Sequence, residues 1–241
     1  MRKVISINYF NKYTVQIPAC NGNRYVISDI HGCLKTLEKL VSRINLKKED
    51  QLFLLGDYID RGPDSVGVLD YIIDLQEKFQ VYSLRGNHEE SLLRLEEADV
   101  TIDKEFYVMN EKTFELFDFE FELKEKYFNF LDNLPYFFVL EKHILVHAGL
   151  DFHSYDPYLN LDKMLWIRDM RYNPLQAMNK TIVHGHTPFE LPDIQRSIKQ
   201  DKKVIPLDNG CVYHKEKLGG NLLCYNLGTK ELIIQKNIDF E

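Results

Sequence analysis

The sequence predicts an α/β fold. Short apolar runs recur along the middle of the chain, each ends in a loop rich in Gly, Asp, Asn or His, and helical periodicity follows several of these loops. Tyr25-Val26-Ile27 leads into Asp29-Ile30-His31-Gly32, and Leu34, Leu37, Leu40, Val41 and Ile44 then recur at helical spacing. Leu52-Phe53-Leu54-Leu55 leads into Gly56 to Gly62, with Val68, Leu69, Ile72, Ile73 and Leu75 beyond. Val81-Tyr82-Ser83-Leu84 leads into Gly86-Asn87-His88-Glu89 and a Leu-bearing helix. Ile144-Leu145-Val146 ends at His147, and Thr181-Ile182-Val183 ends at His184-Gly185-His186. From Lys203 onward, apolar runs alternate with the turn signals Asp208-Asn209-Gly210 and Leu218-Gly219-Gly220, which predicts a closing set of strands. In open α/β sheets ligands bind beyond the carboxyl ends of the strands, where all the polar loops would gather.

At 241 residues with 44% hydrophobic and 28% charged side chains, the chain reads as one globular domain, 1–241, with no linker or repeat. A net charge of −7 speaks against an extended nucleic-acid surface. No apolar run approaches the ~20 residues of a membrane helix, and Met1 to Ser6 have no apolar stretch behind them, so neither a membrane span nor a secretory signal is expected. The four cysteines are scattered without a Cys-x-x-Cys pair, which favours free thiols in a reducing cytoplasm. Charge is uneven: residues 95–126 carry 11 acidic side chains against four lysines, leaving 26 of each sign elsewhere. With the Phe and Tyr density of 103–134, this reads as an acidic helical insertion with an aromatic inner face. It either overhangs the site and screens anionic substrates or packs on the domain flank.

The polar loops share one chemistry: carboxylates, imidazoles and a single amide. Asp29 and His31, two apart, point to one side of an extended loop. Asp57 and Asp60 lie in Gly-Asp-Tyr-Ile-Asp-Arg-Gly, where glycines let backbone pass close to a charged site. Taken singly, Asp-Arg-Gly could be a salt-bridged turn and Asn87 a helix cap. The five segments occur, however, in the order Asp-x-His, Gly-Asp-x-x-Asp-Arg-Gly, Gly-Asn-His-Glu, His-Ala-Gly and Gly-His-Thr. In this the chain resembles the calcineurin-like metallophosphoesterases, and within them the phosphoprotein phosphatase branch, from about Tyr25 to Gly220.

The resemblance implies a sandwich of mixed β-sheets flanked by helices and two divalent metal ions, foremost Mn²⁺, with Fe or Zn²⁺ as alternatives. Asp29, His31 and Asp57 would hold one ion; Asp57 as a bridge, Asn87, His147 and His186 would hold the other. A shared carboxylate is needed because two divalent cations ~3.5–4 Å apart repel unless anions lie between them. The resemblance further implies attack by a water activated between the ions. His88 would protonate the leaving alkoxide, Asp60 would hold its imidazole, and Arg61, Arg168 and Asn87 would contact the phosphate. His184, by the same match, is left to packing. Cys33 reads as a buried thiol, and His143, His153 and His214 as surface residues. Asp208 could orient a ligand histidine, and Arg85 could pin its loop or touch substrate.

The expected activity is hydrolysis of phosphoserine or phosphothreonine in proteins, with phosphotyrosine or small phosphoesters as further substrates. The alternative is cleavage of dinucleoside tetraphosphates, whose hydrolases share these motifs but tend to read Gly-Asn-His-Asp where this chain has Glu89. A non-catalytic scaffold would be expected to lack a ligand or His88, and none is missing.

Overall fold

The computed structural model describes residues 14–97, 112–213 and 219–240. Met1 to Ser6, residues 98–111 of the acidic stretch and His214 lie outside the described residues. The described strands are β1 (Thr14–Gln16), β2 (Arg24–Ile27), β3 (Gln51–Leu54), β4 (Gln80–Ser83), β5 (Phe137–Val139), β6 (His143–Val146), β7 (Thr181–His184), β8 (Val204–Pro206), β9 (Asn221–Asn226) and β10 (Leu232–Lys236). The helices are α1 (Leu34–Ile44), α2 (Ser65–Lys78), α3 (Asn87–Glu97), α4 (Glu125–Asp132), α5 (Leu161–Trp166) and α6 (Leu191–Lys199).

Two five-stranded mixed sheets result, ordered β1-β5-β6-β7-β8 and β10-β9-β2-β3-β4. β2, β3 and β4 run parallel, as do β6, β7 and β8, while β9 pairs antiparallel with both β2 and β10. Alternation along the strands sorts the core into layers. Val26, Phe53 and Tyr225 of one sheet meet Phe138, Leu145, Val183 and Ile205 of the other in the layer between them. Tyr25, Ile27, Leu52 and Leu54 point the opposite way, onto Leu37, Leu40 and Val41 of α1 and Val68, Leu69 and Ile72 of α2. On the outer face of the other sheet, Phe137, Ile144, Val146 and Ile182 pack on Met164 and Leu165 of α5. Strands covered on both faces need apolar residues at every position, which is why they read as continuous runs.

Helix ends are fixed locally. The Asp64 carboxylate accepts the Gly67 N–H at 2.7 Å at the start of α2, and Asn45 closes α1 in the left-handed region at φ 51°. The Asp239 carboxylate takes the Lys35 and Thr36 N–H groups at the opening of α1, tying the C-terminal segment to it.

The described part of the acidic stretch is less helical than the sequence suggests. Beyond the end of α3 at Glu97 its described residues hold one 3₁₀ turn, Phe114–Leu116, and then α4. Leu116, Phe117, Leu123, Tyr127 and Leu131 enter the core, whereas Phe119 is fully exposed and Phe121 and Phe128 partly so. A tight turn makes the difference: the Asp118 carboxylate accepts the Glu120 and Glu122 N–H groups at 2.8 and 3.1 Å, which turns the intervening side chains outward. No helix among the described residues is long and apolar enough to cross a membrane.

Candidate metal centre

The candidate ligands follow the carboxyl ends of five strands: β2 (Asp29, His31), β3 (Asp57), β4 (Asn87), β6 (His147) and β7 (His186). Both sheets contribute, so the residues meet beyond the carboxyl ends of strands from the two sheets. Asp57 is the hub. Its Oδ1 lies 3.5 Å from His147 Nε2, and its Oδ2 lies 3.6 Å from His31 Nε2 and 4.0 Å from His88 Nε2. Asn87 Oδ1 stands 2.9 Å from His147 Nε2 and 2.8 Å from His186 Nδ1. Both Asp29 carboxylate oxygens accept the His186 N–H at 3.0 Å. All six side chains are buried.

The hydrogen-bond partners of the histidines set which ring nitrogens face the centre. His147 Nδ1 is 2.9 Å from the Leu55 carbonyl and His31 Nδ1 is 2.9 Å from that of Ile59. A carbonyl only accepts, so each Nδ1 carries a proton, and in the neutral ring each Nε2 then carries a lone pair. In that tautomer the His147 lone pair faces two further acceptors, Asn87 Oδ1 and Asp57 Oδ1, and His186 Nε2 is buried without a hydrogen-bond partner among the described residues. Acceptors aimed at acceptors repel unless a cation lies between them, and the oxygen and imidazole set fits a divalent ion. Burial first, and for His186 the neighbouring His147 next, pushes the imidazoles of His31 and His186 down to about 4, so both are neutral donors at pH 7. Burial opposes ionisation of Asp57, but His147, His88 and His31 outweigh it and hold its carboxyl well below the usual range.

The backbone is strained here. His31, Asp57, Asp60, Arg61 and His186 all adopt φ between 48° and 69°, a region costly for residues with a Cβ. Gly86 and Gly185 permit close approach: a Cβ on Gly86 would strike Asp57 N and Oδ1, and one on Gly185 would strike Asp29 Oδ1.

Buried groups around the ligands hold them. Glu89, 0% exposed, accepts the N–H groups of Asp57 and Tyr58 at 2.8 Å each and of Gly86 at 2.9 Å. It thereby pins the loop that carries Asp57. Burial, and then the Asp57 carboxylate, raise its pKa to about 7. His88 Nδ1 lies 2.6 Å from Asp60 Oδ2, and Asp60 Oδ1 accepts the Thr113 hydroxyl at 2.5 Å. Burial alone would disfavour the His88 imidazolium, but Asp57 and Asp60 prevail and raise its pKa. Sequence reasoning missed Thr113, which lies in an aperiodic stretch 53 residues from its partner. It treated Glu89 only as a discriminator between activities, although its place in the first turn of α3 was legible.

The arginines flank this cluster. Arg61 Nη1 donates to His31 Nε2 at 3.0 Å, and its guanidinium lies over the Tyr213 ring at 5.7 Å. Arg168 is exposed, and its charge depresses the His186 imidazole. Trp166, 45% exposed, sets its ring edge-on to His186 with centroids 6.2 Å apart.

His184 is buried, with Nδ1 3.1 Å from the Gly185 carbonyl and its ring edge-on to Phe189, a packing position. Arg85 pins its loop through Glu90 and the Leu131 and Asp132 carbonyls. Cys33 is a buried thiol, and His153 is exposed. Two expectations need correction. His143 is half-buried rather than on the surface, because it opens β6 beneath a cleft. Among the described residues Asp208 has no hydrogen bond to a histidine; it accepts the Gly210 N–H at 2.7 Å, and burial and the nearby Asp29 raise its pKa well above the usual range.

Residues 23–224 match the calcineurin-like phosphoesterase family model, and the chain belongs to that family of metal-dependent phosphoesterases, which uses a dinuclear metal centre. It is 24% identical over 235 residues to the asymmetrical bis(5'-nucleosyl)-tetraphosphatase PrpE of Oceanobacillus iheyensis, covering 86% of this chain and 90% of that protein. It is 29% identical over 176 residues to serine/threonine-protein phosphatase 1 of Salmonella typhimurium, covering 68% and 78% respectively. Its fold is similar to that of a cold-active protein-tyrosine phosphatase from a psychrophilic Shewanella (TM-score 0.62, 15% identity, 93% of this chain and 84% of that one).

Proposed function

We propose that this phosphoesterase acts on phosphate monoesters of aliphatic alcohols, foremost phosphoserine and phosphothreonine in proteins. Asp29, His31 and Asp57 would hold one divalent ion, and Asp57, Asn87, His147 and His186 the other, with Mn²⁺, Fe and Zn²⁺ all compatible with these donors. The chemistry such a pair supplies when bound is a water ionisable near neutral pH and a Lewis acid for the phosphoryl oxygens.

The observation that carries the reading is the chain Thr113 Oγ1 to Asp60 Oδ1 and Asp60 Oδ2 to His88 Nδ1, at 2.5 and 2.6 Å. Asp60 orients the imidazole so that Nε2, 4.0 Å from Asp57 Oδ2, presents its proton at the centre. An alkoxide is a poor leaving group and needs that proton, whereas a nucleotide phosphate leaves as a stable anion without it. Arg61 and Arg168 would grip the phosphate, their planar forks suiting its oxygens.

The second reading, hydrolysis of dinucleoside tetraphosphates, is favoured by the tetraphosphatase relative that the chain covers over 90% of its length. A substrate panel on Mn²⁺-loaded protein separates the two. A phosphothreonine peptide should give the higher kcat/KM, and His88→Asn should depress it far more than diadenosine tetraphosphate cleavage. Preference for diadenosine tetraphosphate would establish the second reading instead.

A further inference from the structure

The metal centre uses the carboxyl ends of the strands, and the opposite ends carry a second concave site. A cleft of about 740 Å³ opens beside the first residues of β2, β6 and β7 and the segment just before β8. Arg24, Lys142, Lys180, Lys203 and Lys230 line it, with Glu141 and Asp201 as its carboxylates. Glu141 is engaged by Arg24 and Asp201 by Lys230, each at 2.5 Å. Lys142, Lys180 and Lys203 have no carboxylate within ion-pair distance among the described residues. Lys180 Nζ donates to the Leu140 and Glu141 carbonyls at 2.6 and 2.7 Å, and Lys203 Nζ to that of Asn179 at 3.0 Å. An ammonium has three donors, so each keeps at least one for a ligand.

Three uncompensated cations in one hollow of a chain with net charge −7 concentrate positive potential there. The cleft's own histidine registers that field. Burial first, and then Arg24, Lys142, Lys180 and Lys203, push the His143 imidazole down to about 4.

We propose that this cleft is a binding site for an oligophosphate anion of three or more phosphates, separate from the metal centre. The register supports a long anion over orthophosphate. Lys142 and Lys203 precede strands that flank β7 on either side: the Thr181 N–H bonds the Lys142 carbonyl, and the Ile182 N–H bonds the Lys203 carbonyl, both at 2.9 Å. Two strand spacings put these backbones ~10 Å apart, a span that a chain of phosphates can bridge with both lysines extended, whereas one tetrahedral anion meets both only if the two side chains fold toward each other. The volume falls within the range of nucleotide-sized sites, so the anion could be inorganic or the tail of a nucleoside triphosphate.

The test is calorimetric titration of full-length protein carrying Arg61→Ala and Arg168→Ala, which weakens phosphate capture at the metal centre. Inorganic tripolyphosphate should bind at least ~10-fold more tightly than orthophosphate, because only the longer anion meets several cations at once. Adding Lys142→Gln and Lys203→Gln should weaken it at least ~10-fold. The same two lysine changes in otherwise unaltered protein should leave p-nitrophenyl phosphate turnover unchanged. The His143 ring resonances should shift on titration and its pKa should rise, a readout that no event at the metal centre reproduces. ATP binding more tightly than tripolyphosphate would identify a nucleotide as the source, and equal affinity would assign the site to the anion alone. Tripolyphosphate binding unaffected by the lysine changes, or an unmoved His143, would overturn the proposal.

Discussion

Thr113→Val tests the proton-delivery chain with a minimal change of shape. Thr113 is 1% exposed, and its hydroxyl donates to Asp60 Oδ1 at 2.5 Å while also lying 3.5 Å from Ser65 Oγ. Valine replaces the hydroxyl by a methyl of similar volume, so little cavity opens. Asp60 keeps His88 on Oδ2 but loses the donor that fixes its rotation. A hydrogen bond to a charged group is worth ~1.5–3 kcal/mol net, and each ~1.4 kcal/mol is tenfold in rate. If the bond serves proton delivery, kcat/KM on a phosphothreonine peptide should fall ~10- to 10²-fold. On p-nitrophenyl phosphate, whose leaving group departs without a proton, the loss should stay within ~3-fold. Thr113→Ser keeps a hydroxyl and should recover most of the activity. The assay is steady-state kinetics on both substrates with Mn²⁺, alongside the thermal midpoint. Equal losses on the two substrates, or full activity on both, would refute the reasoning.

The remaining predictions concern the same centre and its surroundings. Chelation should abolish activity and Mn²⁺ restore it, with Asp57→Asn the most damaging ligand change because it weakens both ions; full turnover by metal-stripped protein would contradict this. Glu89→Gln puts an amide N–H₂ against backbone donors, so metal content, read by elemental analysis, should fall at least several-fold, with a lower thermal midpoint. His143 should contribute a pH dependence to stability. With its folded pKa at about 4 and an unfolded value of 6.5, the unfolded chain binds more protons between those limits, so stability falls as pH drops through that window; His143→Gln should flatten the melting profile there. Neutralising Glu115, Glu120 and Glu122, while sparing the turn-forming Asp118, should lower KM for acidic phosphopeptides relative to basic ones; a ratio that does not move, at low or high salt, assigns the segment to scaffold.

What was legible in the sequence was local. A buried strand announces itself by an unbroken apolar run, and a metal-binding loop by the residue types placed directly after it. The order of those loops carried the family resemblance, which singled out Asp29, His31, Asp57, Asn87, His147 and His186, and the structure draws all six together. Long-range groups were not legible. Thr113 meets Asp60 across 53 residues of sequence, and no periodicity in its own neighbourhood marks it. Phe119 shows the reverse error, since an aromatic in a dense aromatic stretch reads as core until Asp118 folds the chain into a turn that expels it. His143 fails for a third reason: its half-burial depends on where β6 begins relative to the lysines just before β7 and β8, which is set by sheet register rather than by flanking residues. The same distinction explains the strained backbone. Left-handed φ at His31, Asp57, Asp60, Arg61 and His186 is a cost that local sequence would avoid. The bonds that hold it come from elsewhere in the chain: Glu89 on the Asp57 loop, the Ile59 carbonyl on His31, and Asp29 on the His186 N–H. Each restraint joins two loops, so strain in one is offset by geometry in another, and weakening Glu89 should loosen the centre even though, among the described residues, that carboxylate accepts its hydrogen bonds from backbone N–H groups.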